Sequence, residues 1–273
     1  MKVAVVGHVE WVEFAPVERV PQPGEIVQAG ETWEEAGGGG AVAALQLARL
    51  AGTATLYTAL GDDELGRRAK AELEAQGVRV VAAWRDQAQR RAFVFVDSEG
   101  ERTITVIGPK LSPRADDPVP WEELDEVDAV YYTARDVSAL RQARRAGVLV
   151  ATARELPTLR EADVELDALV RSGADPGERY EPGSVEPPPR VLVATGGARG
   201  GSYTLRGGES QTFPGAPRPG PRVDDYGAGD CFAAGLTYGL VRERSLEDAL
   251  ALASACGAAA TMGPGVHVGY PPA

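Results

Sequence analysis

The chain of 273 residues carries 28 basic and 40 acidic side chains, and its formal net charge of −12 disfavours nucleic acids and anionic membranes as partners. Hydrophobic residues make up 44% and charged residues 25%, as in globular proteins rather than disordered or fibrous ones. No apolar run approaches the roughly 18 residues of a membrane helix, and the first residues lack a signal-peptide pattern. We therefore expect a cytoplasmic protein without membrane contact, in which Cys231 and Cys256 are buried free thiols.

Strands alternate with helices in the first third of the chain. The β-branched run at residues 2–6 predicts a buried strand, and an alanine- and leucine-rich helix follows the four glycines at 37–40 and ends at Gly52. A second strand is predicted at 53–59 and an amphipathic helix at about 64–76. This alternation predicts a mainly parallel sheet with helices on both faces.

Two extended segments, residues 24–33 and 92–107, interrupt this order, and the second contains a DSEG turn typical of a hairpin. We predict that they belong to a small β lid, formed by segments at about 11–33 and 90–108 within a single domain of residues 1–273. The alternation then resumes. Further strands are predicted at 128–134, 148–152, 167–172, 190–195 and as a pair within 202–213, and helices at 137–146, 228–241 and 246–262.

The stretch VDDYGAGDCF at 223–232 places a glycine-rich turn directly before a helix. The backbone N–H groups of Gly227, Ala228 and Gly229 would point out of the helix N-terminus, where the partial positive charge favours an anion such as phosphate. Asp230, in the first turn, would face the same spot and accept a proton from a hydroxyl that attacks this phosphate. Taken alone, the motif is equally compatible with a tight turn whose carboxylate has no catalytic role.

Together with the four glycines that open the N-terminal helix, this motif resembles the two signatures of the ribokinase and phosphofructokinase-B family of carbohydrate kinases. Further matches are PGEIV at 23–27, GDDELG at 61–66 and GER at 100–102, and the resemblance runs from Val3 to Gly265. It implies a ribokinase-like three-layer α/β/α sandwich with a mainly parallel central sheet and a small β lid. It also implies transfer of the γ-phosphoryl group of Mg-ATP to a hydroxyl of a small sugar, polyol or nucleoside-like substrate, with lid closure excluding water and a homodimer formed through the lid.

The resemblance assigns roles to residues of the GAGD motif and of the loop at 195–201. Asp230 would be the catalytic base, and the backbone amides before it would form the anion hole. Asp224 would help to shape the nucleotide side and a nearby monovalent-cation site, but Asp225 replaces the usual threonine, so the cation requirement stays open. The loop TGGARGG resembles the family's nucleotide-contacting loop, with Thr195, Gly197 and Gly200 as its candidate contacts.

A magnesium-linked motif, asparagine-x-x-glutamate, is expected after the strand at 167–172. This chain contains no asparagine, and SGADPGE stands in that place. Ser172 and Asp175 are the nearest counterparts, with Glu178 as a second candidate carboxylate. Either could organise Mg²⁺ through water, because this ion keeps several waters and takes few direct protein ligands. A simple capped turn is the alternative interpretation.

The substrate side departs further from the family pattern. The glycines Gly38 and Gly39 are present, but Glu10 replaces a common asparagine, Val12 a hydroxyl-binding aspartate and Val42 another asparagine. If both valines face the pocket, ribose should be a poor substrate and the acceptor should present a less polar face. Alternatively, His8, Glu10 or Glu13 supplies substitute contacts. Four arginines near these segments are candidates for binding a phosphate already on the substrate: Arg90, Arg91, Arg102 and Arg135.

Two other functions are alternatives to the kinase hypothesis. A dinucleotide-dependent oxidoreductase is disfavoured because no G-x-G-x-x-G follows the first strand. A catalytically inactive relative, which binds a nucleotide or metabolite in a regulatory or structural role, is compatible with the altered magnesium and substrate positions. The intact GAGD motif argues against it.

Overall fold

The computed structural model describes residues 1–218 and 220–269, so Pro219 and the last four residues of the expected 1–273 domain lie outside it. Its strands are β1 (Val3–Gly7), β2 (Glu10–Pro16), β3 (Trp33–Gly37), β4 (Ala54–Gly61), β5 (Val78–Arg85), β6 (Arg91–Val96), β7 (Arg102–Ile107), β8 (Ala129–Thr133), β9 (Val148–Thr152), β10 (Ala168–Ser172), β11 (Val191–Thr195), β12 (Gly201–Leu205) and β13 (Ser210–Phe213). Its α-helices are α1 (Gly39–Ala51), α2 (Glu64–Ala75), α3 (Val137–Ala143), α4 (Leu156–Ala162), α5 (Ala228–Arg242) and α6 (Leu246–Ala260).

The main sheet has nine strands in the order β13-β12-β11-β10-β9-β8-β1-β4-β5. The pairs from β11 to β5 are parallel, and β12 and β13 are added antiparallel at one edge. Successive side chains of β1 explain the layers. Val3 and Val5 pack in a core with α1, α2, α5 and α6, whereas Ala4 and Val6 pack in a second core with α3 and α4. The central strands are therefore buried on both faces, which accounts for their continuous apolar sequences.

A second sheet of four strands, in the order β3-β2-β6-β7, contains the segments predicted as the lid. The predicted strand at 24–33 is wrong, because residues 17–32 form no strand and β3 begins only at Trp33. The missed strand is β2, which follows β1 after two residues. Pro21 and Pro23 lack the N–H groups that a sheet ladder needs. The segment from Glu10 instead pairs with β3 on one side and with β6 on the other.

The turn of this second sheet lies against the segment that precedes α5. Arg222 donates to Glu101 at 2.6 Å, to the carbonyl of Glu99 at 3.0 Å and to Asp225 at 2.8 Å. Arg102 donates to the carbonyl oxygen of Asp225 at 2.7 Å. We refer to these contacts of Arg222 and Arg102 as the hairpin anchor. They connect the tip of the second sheet directly to the GAGD turn.

Helices α5 and α6 are packed unusually close. A Cβ atom at Gly235 would lie 2.9 Å from the Cα atom of Ala253, and one at Gly239 would lie 2.9 Å from that of Ala249. Both positions therefore need glycine. The two buried cysteines lie in these helices, Cys231 in α5 and Cys256 in α6, as free thiols, in agreement with the sequence-based expectation.

Several predicted boundaries differ by a few residues from the structure. Helix α3 ends at Ala143 and α6 at Ala260, each earlier than predicted, and α4 was not predicted at all. Among the described residues, no helix is both long and apolar enough to cross a membrane. The carboxyl ends of the parallel strands meet at one edge of the sheet, and the loops that follow them bring the candidate site together.

Candidate functional site

The N-terminus of α5 is free of a side-chain cap. Gly227, the residue before the helix, has a left-handed backbone with φ 74°, and a Cβ atom there would lie 2.8 Å from a methyl group of Val42. Glycine is therefore required at this turn. At Gly229, in contrast, an added Cβ atom would meet no described atom within 4 Å. The N–H of Ala228 donates to the carbonyl oxygen of Asp225 at 3.3 Å, and the open space at Gly229 can accommodate an anion next to the helix N-terminus.

Asp230 connects this helix end to the four-glycine turn. Its Oδ1 lies 3.4 Å from the hydroxyl of Tyr131 and 2.8 Å from the position of a Cβ atom on Gly39. Burial raises the pKa of Asp230, while the nearby guanidinium groups of Arg154 and Arg102 act in the opposite direction. A carboxylate with a raised pKa beside an open helix N-terminus can take a proton from a hydroxyl placed there.

The glycines at the start of α1 permit a close approach of three segments. Gly38 has φ 84°, and a Cβ atom there would lie 3.1 Å from the backbone nitrogen of Glu10. Its N–H donates to the hydroxyl of Tyr226 at 2.9 Å. A Cβ atom on Gly40 would lie 2.5 Å from the carbonyl oxygen of His8. The turn therefore packs tightly on the end of β1, leaving no room for side chains.

His8 and Glu10 form a buried polar side of the site. The Nδ1 of His8 donates to the carbonyl oxygen of Thr133 at 2.9 Å, which leaves Nε2 as a potential acceptor. Burial, together with the charges of Lys110 and Arg90, holds the pKa of His8 well below its usual value, so its ring is neutral. Glu10 is only 7% exposed, and its Oε1 lies 2.5 Å from Nε of Arg90.

Val12 and Val42 do not face an open pocket, contrary to the expectation from sequence. They are 0% and 1% exposed and belong to an apolar cluster with Phe14 and Tyr226. The ring of Tyr226 packs edge-on against Phe14, with centroids 5.0 Å apart, and its hydroxyl reaches Gly38. Tyr226 thus closes the apolar side of the site. Sequence reasoning passed over it, although it lies directly before the GAGD motif.

Asp224 is 1% exposed and acts as a connection between two loops. Its Oδ1 accepts the N–H of Tyr226 and its Oδ2 that of Gly265, both at 2.6 Å. Burial raises the pKa of Asp224, and the two N–H groups oppose this effect. Because each oxygen already accepts an N–H, the main role of the carboxylate is to hold the backbone at Tyr226 and Gly265 together. The predicted monovalent-cation site gains no support from this geometry.

The three candidate nucleotide contacts follow β11. The carbonyl oxygen of Thr195 accepts the N–H of Gly173 at 2.8 Å, which connects two neighbouring strand ends. Gly197 has φ 61° with open space around it. Gly200 has φ 90°, and a Cβ atom there would lie 2.1 Å from the carbonyl oxygen of Phe213, so its glycine shapes the turn. Of the three, Gly197 leaves the most room for a ligand.

The carboxylates expected near magnesium lie after β10 and are bound by Arg154. Its Nε lies 2.8 Å from Glu178 and its Nη2 lies 3.3 Å from Asp175. Glu178 also accepts the N–H of Ser172 at 2.6 Å, and Asp175 that of Gly177 at 2.8 Å. Within the described ranges no three ligand-type side chains form a metal cluster. The pair fits Mg²⁺ held through water and phosphate oxygens, but not a cage of direct protein ligands.

Sequence reasoning missed Lys110, Glu155 and Arg154, whereas Arg135 was among the arginine candidates. Lys110 contacts Glu155, which also accepts from Nε of Arg135 at 3.2 Å. Lys110 is one of only three lysines in the chain and follows directly after the second sheet, and Arg154 follows the carboxyl end of β9. The positions of Lys110 and Arg154 along the chain were thus the signals available in the sequence. The residues with which they pair could not be predicted without the fold.

Comparison with known proteins places this geometry in a family. The model of the pfkB family carbohydrate kinases matches residues 1–171 and 183–271. The chain belongs to the pfkB family of carbohydrate kinases. It is 31% identical to an ATP-dependent ribose-1-phosphate kinase of Halopiger xanaduensis, over 94% of this chain and 91% of that protein. It is 30% identical to a fructokinase of Klebsiella pneumoniae, over 86% of this chain and 88% of that protein.

Solved structures with the same fold are also found. A ribokinase from Cryptococcus neoformans in complex with ADP superimposes with a TM-score of 0.73 at 22% identity, covering 97% of this chain and 95% of the other. The predicted ribokinase-like α/β fold is thereby confirmed.

Proposed function

We propose that the protein transfers the γ-phosphoryl group of ATP to a hydroxyl of a small sugar or sugar-like acceptor, with Asp230 as catalytic base. The observation that carries this proposal is the position of Asp230 beside an uncapped helix N-terminus, in contact with Tyr131 and next to Gly39. An acceptor hydroxyl placed between Asp230 and the phosphate would be aligned for in-line attack.

In this mechanism the chain performs two tasks at the phosphoryl group. Asp230 takes the proton of the acceptor hydroxyl as the new P–O bond forms. The N–H groups at the start of α5, from Gly227 to Gly229, donate to the oxygens of the transferring group, whose negative charge is spread over them in the transition state. The free space at Gly229 supports this role.

The nucleotide would lie on the side of β10 and β11. Thr195, Gly197 and Gly200 are proposed to border it, and Asp224 to fix the loop between it and the GAGD turn. Asp175 and Glu178 would hold Mg²⁺ through water, and the ion would neutralise charge on the phosphates of ATP. Arg154, which binds both carboxylates, adds a fixed positive charge near the same position.

On the acceptor side, we propose Glu10 and His8 as the polar contacts, with Gly38 and Gly39 permitting close approach. Val12 and Val42 would contribute only through the apolar cluster that positions Tyr226. A lid function of the second sheet, a homodimer through it and a cytoplasmic location remain predictions. The exposed side chains of Ile104, Val106 and Ile107 on edge strand β7 support the dimer.

Release of ADP by the purified chain with Mg-ATP and a panel of acceptors tests the proposal. The relatives named above suggest ribose 1-phosphate and fructose as first acceptors, and ribose, inositol and nucleosides complete the panel. We expect ADP release that depends on one of these acceptors. If the protein phosphorylates none of these acceptors, the proposal is contradicted. The alternative of a catalytically inactive relative would then be favoured.

A further inference from the structure

Tyr131 presents a phenol hydroxyl to the proposed base from the centre of the main sheet. It lies on β8, where it pairs with Val5 of β1 on one side and with Val150 of β9 on the other. The residue is 1% exposed and belongs to the core that also contains residues of α1 and α5. Because the ring is enclosed on all sides, its hydroxyl is held at a fixed position.

The hydroxyl of Tyr131 is not explained by packing. A hydroxyl buried in an apolar core is unfavourable unless it has a hydrogen-bond partner, and phenylalanine would fill the same space without needing one. The hydroxyl of Tyr131 donates to Oδ1 of Asp230 at 3.4 Å. This distance exceeds the roughly 2.8 Å of an ordinary O–H···O bond, as is common for catalytic groups before their ligands bind.

Tyr131 keeps its proton and is therefore a permanent donor. Burial raises its pKa well above the usual value, and the charges of Asp230 and Glu178 raise it further. Hydrogen bonding to Thr152 and the charge of Arg154 act in the opposite direction. The hydroxyl is thus neutral throughout the pH range in which carboxyl groups titrate. A neutral hydroxyl that donates to a carboxylate stabilises its ionised form.

A second hydroxyl, that of Thr152 at the end of β9, lies behind the first. Its Oγ1 accepts the N–H of Arg154 at 3.3 Å, so the proton of Thr152 is left to be donated. A hydrogen bond that lowers the pKa of Tyr131 is one that its oxygen accepts. The single proton of Tyr131 then remains for Asp230. An N–H group and two hydroxyls therefore donate in sequence toward the carboxylate, and each bond strengthens the next.

The two carboxylate oxygens of Asp230 have different surroundings. Oδ1 faces Tyr131 and lies 2.8 Å from the position that a Cβ atom on Gly39 would occupy. In the part of the chain that the structure describes, no side chain or backbone group donates a hydrogen bond to Oδ2. Oδ2 is therefore the oxygen left for the acceptor hydroxyl while Oδ1 is held in place.

The other groups that face Asp230 act through their charge alone. The charged groups come from four places in the fold: Arg154 after β9, Arg102 on β7, Lys110 after β7 and Glu178 after β10. Tyr226 and Cys231 next to Asp230 stay neutral, because burial raises the pKa of each. Among the described side chains, Tyr131 is thus the one that can fix the direction of the carboxylate by a hydrogen bond.

We propose that Tyr131 is a positioning residue for the base: its hydroxyl, oriented by Thr152, donates to Oδ1 of Asp230 and keeps Oδ2 directed toward the acceptor hydroxyl. Oδ2 takes the proton of that hydroxyl while the acceptor oxygen forms its bond to phosphorus and the bond from phosphorus to the leaving oxygen of ADP breaks. Tyr131 keeps its own proton throughout. This inference rests on the proposed kinase function.

Tyr131→Phe removes the hydroxyl and retains the ring, so it tests the hydrogen bond. We expect kcat to fall about three- to thirtyfold while KM for ATP stays unchanged. Without the donor the pKa of Asp230 rises, and activity is lost as the pH falls through this pKa. The acidic limb of the kcat profile should therefore move to higher pH, by about 0.5 to 1 unit. Acceptor-dependent ADP release across the pH range measures both effects.

Tyr132→Phe is the matched control, because Tyr132 is equally buried but belongs to the core on the opposite face of β8. Its hydroxyl donates to the carbonyl oxygen of Asp136 at 2.7 Å. This variant should lose stability without moving the acidic limb. An unshifted limb in Tyr131→Phe, or an equal shift in both variants, would overturn the inference and leave the kinase function intact. If the unmodified protein shows no acceptor-dependent ADP release, the proposed function itself is contradicted.

A double variant tests whether Tyr131 acts through Asp230. In the Asp230→Asn background, Tyr131→Phe should change the residual kcat by less than about twofold, because there is no longer a base to position. The full loss in both backgrounds would assign Tyr131 a role independent of Asp230 and overturn the inference.

Thr152→Val retains Tyr131 and so tests the same donors if Tyr131→Phe does not fold. The acidic limb should move in the same direction by a smaller amount, since the hydroxyl of Tyr131 is no longer oriented. Thr152→Ser keeps the hydroxyl and its contact with the N–H of Arg154, and should leave the limb at its normal pH. An unshifted limb in Thr152→Val would remove Thr152 from the arrangement.

Discussion

At the scale of single residues, Asp230 combines burial with neighbours of opposite charge. If it is the general base, Asp230→Asn should lower kcat by about 10²- to 10⁴-fold with little loss of ATP affinity, because an amide cannot accept the proton. Acceptor-dependent ADP release and ATP titration measure the two quantities. Asp248→Asn, the same change in the first turn of α6, is the control. Near-normal turnover of the Asp230→Asn variant would remove the assignment.

Arg154 provides a test based on pH. Burial raises the pKa of Asp230, and Arg154 is the foremost charge that lowers it, ahead of Arg102 and Lys110, while Glu178 raises it. Since the base must be ionised, activity is lost as the pH falls through this pKa. In Arg154→Gln the pKa rises further, so the acidic limb of the kcat profile should move to higher pH.

Arg160→Gln, which replaces an exposed arginine of α4, is the control and should leave the acidic limb of the kcat profile at the same pH. An unshifted limb in the Arg154→Gln variant would mean that Asp230 does not control the profile. A fall in kcat at every pH, without a shift, would instead assign Arg154 a role at the phosphates. Measurement of the full profile separates these outcomes.

The sequence predicted those site residues whose roles depend only on neighbouring positions in the chain. Asp230 and the glycines before it lie in one short motif, so a turn, a helix start and a carboxylate could be inferred together. The pairing of Lys110 with Glu155, 45 positions apart, depends on how distant segments fold together. The burial of Val12 and Val42 could not be foreseen for the same reason, because their apolar cluster includes residues far along the chain, such as Tyr226.

At the scale of elements, two glycines at the start of α5 are expected to have different roles. Gly227 supports the fold, and Gly229 supports function. Gly227→Ala should destabilise the protein by about 1–3 kcal/mol, since its left-handed backbone disfavours a side chain and Val42 occupies the space. Gly229→Ala should fold normally but lower kcat, because the methyl group enters the space proposed for phosphate. Thermal unfolding and kinetics on both variants check this contrast.

Gly207→Ala in the β12–β13 turn is a suitable control, as Gly207 also has positive φ, at 75°, but is remote in sequence from the GAGD turn. It should lower stability without changing kcat of the folded enzyme. A normal kcat for Gly229→Ala would mean that the turn is only structural. Within this turn the glycine with positive φ is Gly227, not Gly229.

The central strands were predicted well because they are buried on both faces and have continuous β-branched sequences, such as VAVVG and VLVAT. The second sheet was predicted with an error at its first strand. Residues 10–16 are strand, but the segment EWVEF also contains two glutamates and was assigned to substrate contacts. Helix α4 was not predicted, although the proline in its first turn is typical of a helix start.

At the scale of the whole molecule, the hairpin anchor connects the second sheet to the catalytic turn. Arg222→Gln removes the contacts with Glu101, Asp225 and the carbonyl of Glu99. If closure of this sheet completes the acceptor site, KM for the acceptor should rise roughly three- to tenfold and ATP hydrolysis without acceptor should increase. Arg206→Gln, which affects an ion pair with Glu165, is the control. Unchanged KM and hydrolysis would show that the anchor has no part in closure.

The close packing of α5 on α6 restricts the movement of α5. With Gly235 and Gly239 in contact with the α6 backbone, α5 cannot slide or rotate without steric overlap. The carboxylate at its first turn therefore keeps a constant distance from the strand ends of the main sheet. Adjustment to acceptors of different length would then fall to the four-stranded sheet, which contacts the GAGD turn through the hairpin anchor. The distance between that sheet and the base would set the size of molecule that can be phosphorylated.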